Sequence, residues 1–88
     1  MEPKDKLIIE REKIDKIDLE LAKLLDLRFE RVHEILEIKK QQGMPVFHPG
    51  REKEIIEQVS SKSKNPEFIA EIFKKIMQES RKFQEALR

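Results

Sequence analysis

An uninterrupted helical pattern of 38 residues, from about Asp5 to Gln42, constrains this 88-residue chain more than any other feature. Apolar residues recur along it at the spacing of one helical face. They are Leu7, Ile14, Ile17, Leu21, Leu24, Leu25, Val32 and Ile35. The pattern ends at Gly43 and Pro45, because glycine can adopt a left-handed cap and proline cannot continue a helix.

The length of this helix predicts a dimer. At 1.5 Å per residue it would measure roughly 57 Å, whereas a compact monomer of this size spans only roughly 30 Å. Much of the apolar face would therefore contact water in a monomer. A symmetric homodimer is the commonest way to cover such a face.

Two shorter helices follow, and no segment alternates with the period of a strand. The second is expected to begin after His48 with Pro49 in its first turn, and the third at Pro66 with Asn65 as its N-cap. Their apolar residues are Ile55, Ile56 and Val59 in the second helix, and Ile69, Ile72, Phe73, Ile76, Phe83 and Leu87 in the third. We expect an all-α fold with a single domain over residues 1–88.

Composition excludes several function classes. The net charge of +1 argues against a nucleic-acid-binding protein, which would carry a clear excess of cations. Cysteine is absent and the two histidines are fifteen residues apart, so we expect no metal site. No apolar run is long enough for a membrane span, and the N-terminus lacks the order of a signal peptide. We therefore expect a cytoplasmic protein with no membrane partner.

Polar residues occupy positions on the helical faces that should be buried. On the first helix Arg28 and Lys39 are eleven residues apart, close to three turns, so they share a face at a separation of roughly 16 Å. Two cations so placed could bind a small anion between them. The alternative is that each buries only its stem and extends its charge to solvent.

The other two helices repeat this feature. Glu52 shares a face with apolar residues of the second helix, Arg51 precedes it, and Ser80 and Gln84 continue the apolar face of the third. Together these groups predict a cavity for an anion with hydrogen-bonding oxygens. Arg11 lies roughly 25 Å from Arg28 along the first helix, so any functional role for it would be in a partner subunit's pocket.

The order of these residues resembles the all-helical (AroQ-type) chorismate mutase family over nearly the whole chain. The resemblance is carried by Arg11-Glu12-Lys13-Ile14, Arg28, Lys39, Pro45-Val46, Arg51-Glu52, Ser80 and Gln84. It implies an intertwined homodimer with two sites and no cofactor, acting on the dicarboxylate chorismate.

The resemblance also implies a role for each residue. Arg11 would bind a substrate carboxylate in the partner subunit's site, and Arg28 would bind the other carboxylate. Ser80 and Arg51 would support this binding of the anion. Lys39 and Gln84 would donate to the ether oxygen of chorismate. Glu52 would accept a hydrogen bond from the ring hydroxyl, which would also contact the backbone at His48.

The chain departs from the family at two positions. His48 stands where many relatives have Asp, a change that is tolerable if the position acts through its backbone amide. Arg81 stands where some relatives have an apolar residue, and we expect it to face solvent. Two alternatives to a mutase remain open: an isochorismate-pyruvate lyase of the same fold, and a helical dimerisation module without catalytic activity.

Overall fold

The chain is built from three α-helices in a computed structural model that describes residues 2–88. They are α1 (Pro3–Gln42), α2 (Pro49–Ser61) and α3 (Pro66–Leu87). Residues 2–88 contain no strand, which confirms the all-α prediction. Helix α1 begins two residues earlier than expected, because proline fits the first helical turn. The backbone carbonyl of Glu2 accepts from the amides of Asp5 and Lys6 at 3.0 and 3.1 Å.

The end of α1 is fixed by Gly43, which has the predicted left-handed conformation with φ of 65°. Its amide donates to the carbonyl of Lys40, and the amide of Met44 donates to the carbonyl of Lys39 at 2.8 Å. These two bonds form a Schellman motif, which satisfies carbonyls at the helix end. The bonding also fixes the start of the loop that leads to α2.

The N-terminal caps of α2 and α3 differ. Helix α2 begins after His48 as expected, and His48 Nδ1 accepts from the amide of Arg51 at 2.9 Å. Asn65 occupies the cap position of α3, but its side chain makes no capping hydrogen bond. The Ser63 hydroxyl instead accepts from the amide of Asn65 at 2.9 Å. The N-cap position at Asn65 was predicted correctly, but the side-chain capping bond that is typical of an asparagine there is not made.

The chain divides into two compact units, an N-terminal unit that ends at Arg31 and a C-terminal unit, Val32–Arg88. In the C-terminal unit α2 packs against α3. Its buried apolar residues are Val32, Leu36, Val46 and Met77. Leu36 is the most buried of them, while Ile35 is 48% exposed. Ile35, on the face expected to be covered in a dimer, is thus exposed in the single chain, where Leu36 is buried instead.

The N-terminal unit exposes the apolar face of its helix. Eight large apolar side chains in it are each 47–65% exposed. They are Leu7, Ile8, Ile14, Ile17, Leu19, Leu21, Leu24 and Leu27. Five of the eight belong to the predicted apolar face, namely Leu7, Ile14, Ile17, Leu21 and Leu24, which matches the expectation that much of this face contacts water in an isolated chain.

Candidate active site

The predicted site residues are divided between the two units. Arg11 and Arg28 belong to the N-terminal unit, where Arg11 is exposed and Arg28 is half-buried. The other six belong to the C-terminal unit: Lys39, His48, Arg51, Glu52, Ser80 and Gln84. Within the C-terminal unit the end of α1 is linked to the end of α3, because Lys40 Nζ donates to the carbonyl of Leu87 at 3.1 Å.

Ser80 and Gln84 are buried on α3, each only 6% exposed. Gln84 Nε2 donates to the backbone carbonyl of Ser80 at 3.3 Å, and Gln84 Oε1 is buried without a hydrogen-bond partner among the described residues. A buried polar atom left unsatisfied costs about 1–3 kcal/mol. An amide also carries two N–H donors, so this side chain retains hydrogen-bonding capacity that a structural role does not use.

Lys39 is half-buried near the end of α1, and its Nζ donates to the carbonyl of Val46 at 2.8 Å. Val46 is itself buried, so its carbonyl is fixed by packing. An ammonium has three donors, and one bond to this carbonyl leaves two for a ligand. The loop thus orients a cation that does not extend freely into solvent.

Glu52, in the first turn of α2, is paired with Arg81 of α3, whose Nη1 donates to Glu52 Oε1. The guanidinium carbon of Arg81 also lies 4.9 Å from the centroid of the Phe47 ring. The side chains of Arg81 and Glu52 are only 32% and 22% exposed. The expectation that Arg81 faces solvent was therefore wrong, because Glu52 and Phe47 cover it.

His48 and Arg51 lie at the start of α2, and both are exposed. The imidazole of His48 accepts from the backbone of Arg51, and Arg51 Nη1 donates to Glu54 at 3.3 Å. Arg51 thus points along the outer surface of its helix in the isolated chain. The side chains of these two residues are not brought into the buried polar group formed by Ser80 and Gln84.

Three contributions to this region were missed from the sequence: the Val46 carbonyl, the Phe47 ring and the Arg81 guanidinium. The carbonyl could not be inferred, since every residue carries one. Arg81 did carry a signal, because it is a cation directly after a residue expected to be buried. That signal alone does not identify a partner 29 residues away.

The charged residues on the outer side of α3 form local pairs. Hydrogen bonds from Lys82 and from Lys75 lower the pKa of Glu79 below its usual value. Among the described residues, no three His, Cys, Asp or Glu side chains are grouped so that they could hold a metal ion. In residues 2–88, none of the helices combines the length and apolar character that crossing a membrane requires.

Comparison with known proteins finds a matching family model and two similar proteins. The family model for chorismate mutase type II matches residues 10–85. The T-protein of Enterobacter agglomerans is 31% identical over 74 residues, which cover 80% of this chain and 20% of that protein. A chorismate mutase of Methanocaldococcus jannaschii is 40% identical over 55 residues, which cover 62% of this chain and 56% of that protein. The chain thus spans about a fifth and just over half of these relatives' lengths.

A solved structure shares the fold. The form II structure of chorismate mutase from Thermus thermophilus superposes with a TM-score of 0.87 at 26% sequence identity. The match covers 91% of this chain and 94% of that one. The three-helix fold is therefore shared with a solved chorismate mutase over almost the whole length of both chains.

Proposed function

We propose that this chain, which belongs to the chorismate mutase type II family, catalyses the rearrangement of chorismate to prephenate in the biosynthesis of phenylalanine and tyrosine. The observation that carries the proposal is the incompletely bonded amide of Gln84, which is buried beside Ser80 on α3. A stable core would not normally retain such a group. The second N–H of the amide can donate to an oxygen of a ligand, which gives this side chain a function.

The proposed reaction is an intramolecular Claisen rearrangement, in which one C–O bond breaks as one C–C bond forms. It requires no cofactor, metal ion or nucleophile. The enzyme must hold the flexible substrate in its compact, chair-like conformation, and fixing both carboxylates does this by positioning. We assign Arg28 to one carboxylate and Arg11 of the partner subunit to the other, with Ser80 and Arg51 supporting the anion.

Lys39 and Gln84 are the groups proposed to act on the breaking bond. Negative charge develops on the ether oxygen as the C–O bond lengthens, and an ammonium and an amide N–H can stabilise it. The bond from Lys39 to the Val46 carbonyl supports this role, because it fixes the ammonium before substrate binds. Loss of one such donor typically costs about 3–4 kcal/mol of transition-state stabilisation, or 10²–10³ in rate.

Glu52 is proposed to accept a hydrogen bond from the ring hydroxyl of chorismate, together with the backbone at His48. A carboxylate has about four lone-pair positions, so its bond from Arg81 still allows it to accept another. Arg51, one residue before Glu52, would add positive charge near the entrance of the site.

A homodimer is part of the proposal. The five exposed leucine and isoleucine side chains on the apolar face of the N-terminal unit support it, since burying one such side chain fully contributes about 1.5–3 kcal/mol. A second copy presents the same apolar face and is the simplest partner. We further propose a cytoplasmic location and one functional domain over residues 1–88, with no nucleic-acid partner.

The test is conversion of chorismate, followed as the loss of its ultraviolet absorbance, for the unmodified protein, Lys39→Ala and Lys40→Ala. Lys40 is a matched control because it is the neighbouring lysine and is bonded to the carbonyl of Leu87. We expect Lys39→Ala to lose about 10²–10³ in kcat and Lys40→Ala to stay close to the unmodified protein. Equal rates for all three proteins, at the level of the uncatalysed reaction, would refute the proposal that this chain is an enzyme.

Two alternatives are separated by the same assay. An isochorismate-pyruvate lyase would release pyruvate from isochorismate, so products are analysed with both substrates. A dimerisation module without activity would leave both substrates unchanged. The incomplete hydrogen bonding of Gln84 and the fixed ammonium of Lys39 favour a ligand site over such a module.

A further inference from the structure

The side chain of Arg81 contacts one residue in the loop before α2 and one in the first turn of α2. Its Nη1 donates to Glu52 Oε1, and its guanidinium lies over the ring of Phe47, the residue that precedes the N-cap His48. These contacts connect α3 to the loop and to the first turn of α2. They fix the direction of the Glu52 carboxylate from outside its own helix.

This ion pair differs from a solvated surface pair. Lys23 and Glu20 lie one turn apart on α1, and their side chains are 72% and 70% exposed. Such pairs contribute little. Arg81 and Glu52 are 29 residues apart and mostly covered. Arginine also donates in a fixed plane, and the Phe47 ring against its face sets the orientation of that plane.

We propose that Arg81 is a positioning residue that holds the Glu52 carboxylate where it accepts the ring hydroxyl of the substrate. This inference rests on the role proposed above for Glu52. Without Arg81 the Glu52 side chain gains rotamers in which its oxygens point away from the hydroxyl. Arg81 thereby contributes to substrate specificity without touching the substrate.

This arrangement is expected to affect how well the site discriminates between substrates with and without the ring hydroxyl. A site built to bond a hydroxyl rejects an analogue that lacks it, because the site's polar group is then left unpaired. If Arg81 acts through Glu52, its removal weakens turnover of the hydroxylated substrate much more than turnover of the analogue. A residue that only stabilises the packing of α2 on α3 affects both equally.

The experiment compares Arg81→Met, Arg81→Lys, Glu52→Gln and the double variant Arg81→Met/Glu52→Gln. Methionine preserves much of the apolar stem of arginine and removes its charge and donors. The matched control is Arg88→Met at the end of the same helix, since Arg88 is 60% exposed and pairs with Glu85 one turn away. For each protein kcat and KM are measured with chorismate and with an analogue lacking the ring hydroxyl. Helicity and thermal unfolding are recorded alongside.

We expect Arg81→Met to lower kcat/KM for chorismate about tenfold and to change that for the analogue by less than about twofold. In the Glu52→Gln background the same substitution should add less than about a twofold loss, since residues that act as a unit are not additive. Arg81→Lys should recover part of the loss, and Arg88→Met should match the unmodified protein.

Equal losses for both substrates, or an equal loss in both backgrounds, would assign Arg81 a purely structural role and overturn the inference. An unchanged kcat/KM for Arg81→Met would overturn it as well. In those cases the unmodified protein still converts chorismate and Lys39→Ala still loses about 10²–10³ in kcat, so the proposed function survives. An unmodified protein that converts no chorismate would overturn both the proposed function and the inference about Arg81.

Discussion

Gln84 lies one helical turn after Ser80, and its side-chain Nε2 donates to the Ser80 backbone carbonyl at 3.3 Å. This distance is longer than the usual 2.9–3.0 Å for such bonds. One of the two donors of the Gln84 amide therefore makes only a weak hydrogen bond within its own helix. The amide can exchange that bond for one to a substrate oxygen at little energetic cost, and its donor strength does not depend on pH.

The first prediction concerns this amide. An amide donates at any pH, whereas a carboxyl group donates only when protonated. We expect kcat of the unmodified protein to be nearly flat from pH 5 to 8. Gln84→Glu should be active at acidic pH and lose about 10²–10³ in kcat as the carboxyl ionises with rising pH.

The measurement is a pH profile of kcat for both proteins, with helicity recorded at each pH to exclude unfolding. Glu85→Gln is a suitable control, since Glu85 is exposed and next in sequence. A steep loss of kcat in the unmodified protein over this range would contradict the assignment of Gln84. So would a Gln84→Glu profile that has the same shape as that of the unmodified protein.

The helix ends could be predicted because their signals are local. Pro49 and Pro66 lie in first helical turns, and Gly43 takes the left-handed conformation that ends α1. Each proline fixes its own φ, and glycine permits the left-handed φ that other residues avoid, so no knowledge of distant contacts was needed. The burial of Ser80 and Gln84 was also predictable, because an extended apolar face on α3 includes their positions.

Contacts between distant residues could not be predicted in this way. Ile35 and Leu36 both fit an apolar face within the tolerance of helical spacing, and only the packing partner decides that Leu36 is buried. Arg81 looks like a surface residue until Glu52 and Phe47 are placed beside it. In the same way, the Val46 carbonyl that orients Lys39 depends on the path of a loop rather than on a residue type.

A second prediction tests the small core of the C-terminal unit. Met77 is 3% exposed, whereas Met44 in the loop after α1 is 45% exposed. Met77→Ala should lower the free energy of unfolding by about 2–5 kcal/mol, and Met44→Ala should change it by less than about 0.5 kcal/mol. Denaturant unfolding at one fixed protein concentration measures both, because the stability of a dimer depends on concentration. Similar values for the two variants would contradict the packing described.

A third prediction concerns the cap of α2, where His48 Nδ1 accepts from the Arg51 amide. His48→Ala removes this acceptor and should lower the free energy of unfolding by about 0.5–2 kcal/mol. His48→Asp supplies a preferred capping carboxylate and should be at least as stable as the unmodified protein. Thermal unfolding of the three proteins checks this order.

The same His48 variants test how this position contributes to the site. If it acts through its backbone amide, His48→Asp retains kcat and KM for chorismate within about twofold, because the helix start is preserved. A large loss of activity in a fully folded His48→Asp protein would assign a direct role to the imidazole. Lys53→Asp, an exposed position within α2, controls for the added negative charge.

The last prediction tests whether Arg11 serves the partner's site. Arg11→Ala and Lys39→Ala should each be nearly inactive alone. In a mixed dimer, one site combines the intact Lys39 of one chain with the intact Arg11 of the other. Random mixing in equal amounts makes half of the dimers mixed, each with one intact site of two. Activity should therefore recover to about a quarter of that of the unmodified protein, as the symmetry of a dimer requires.

The matched control for this exchange mixes Arg28→Ala with Lys39→Ala. By assignment these two substitutions affect groups of the same chain, so neither site of the mixed dimer is intact and activity should not return. Native mass spectrometry verifies that mixed dimers form in both experiments. Mixed dimers that stay inactive in the first pair, or recover in the control, would contradict the division of the site between two subunits.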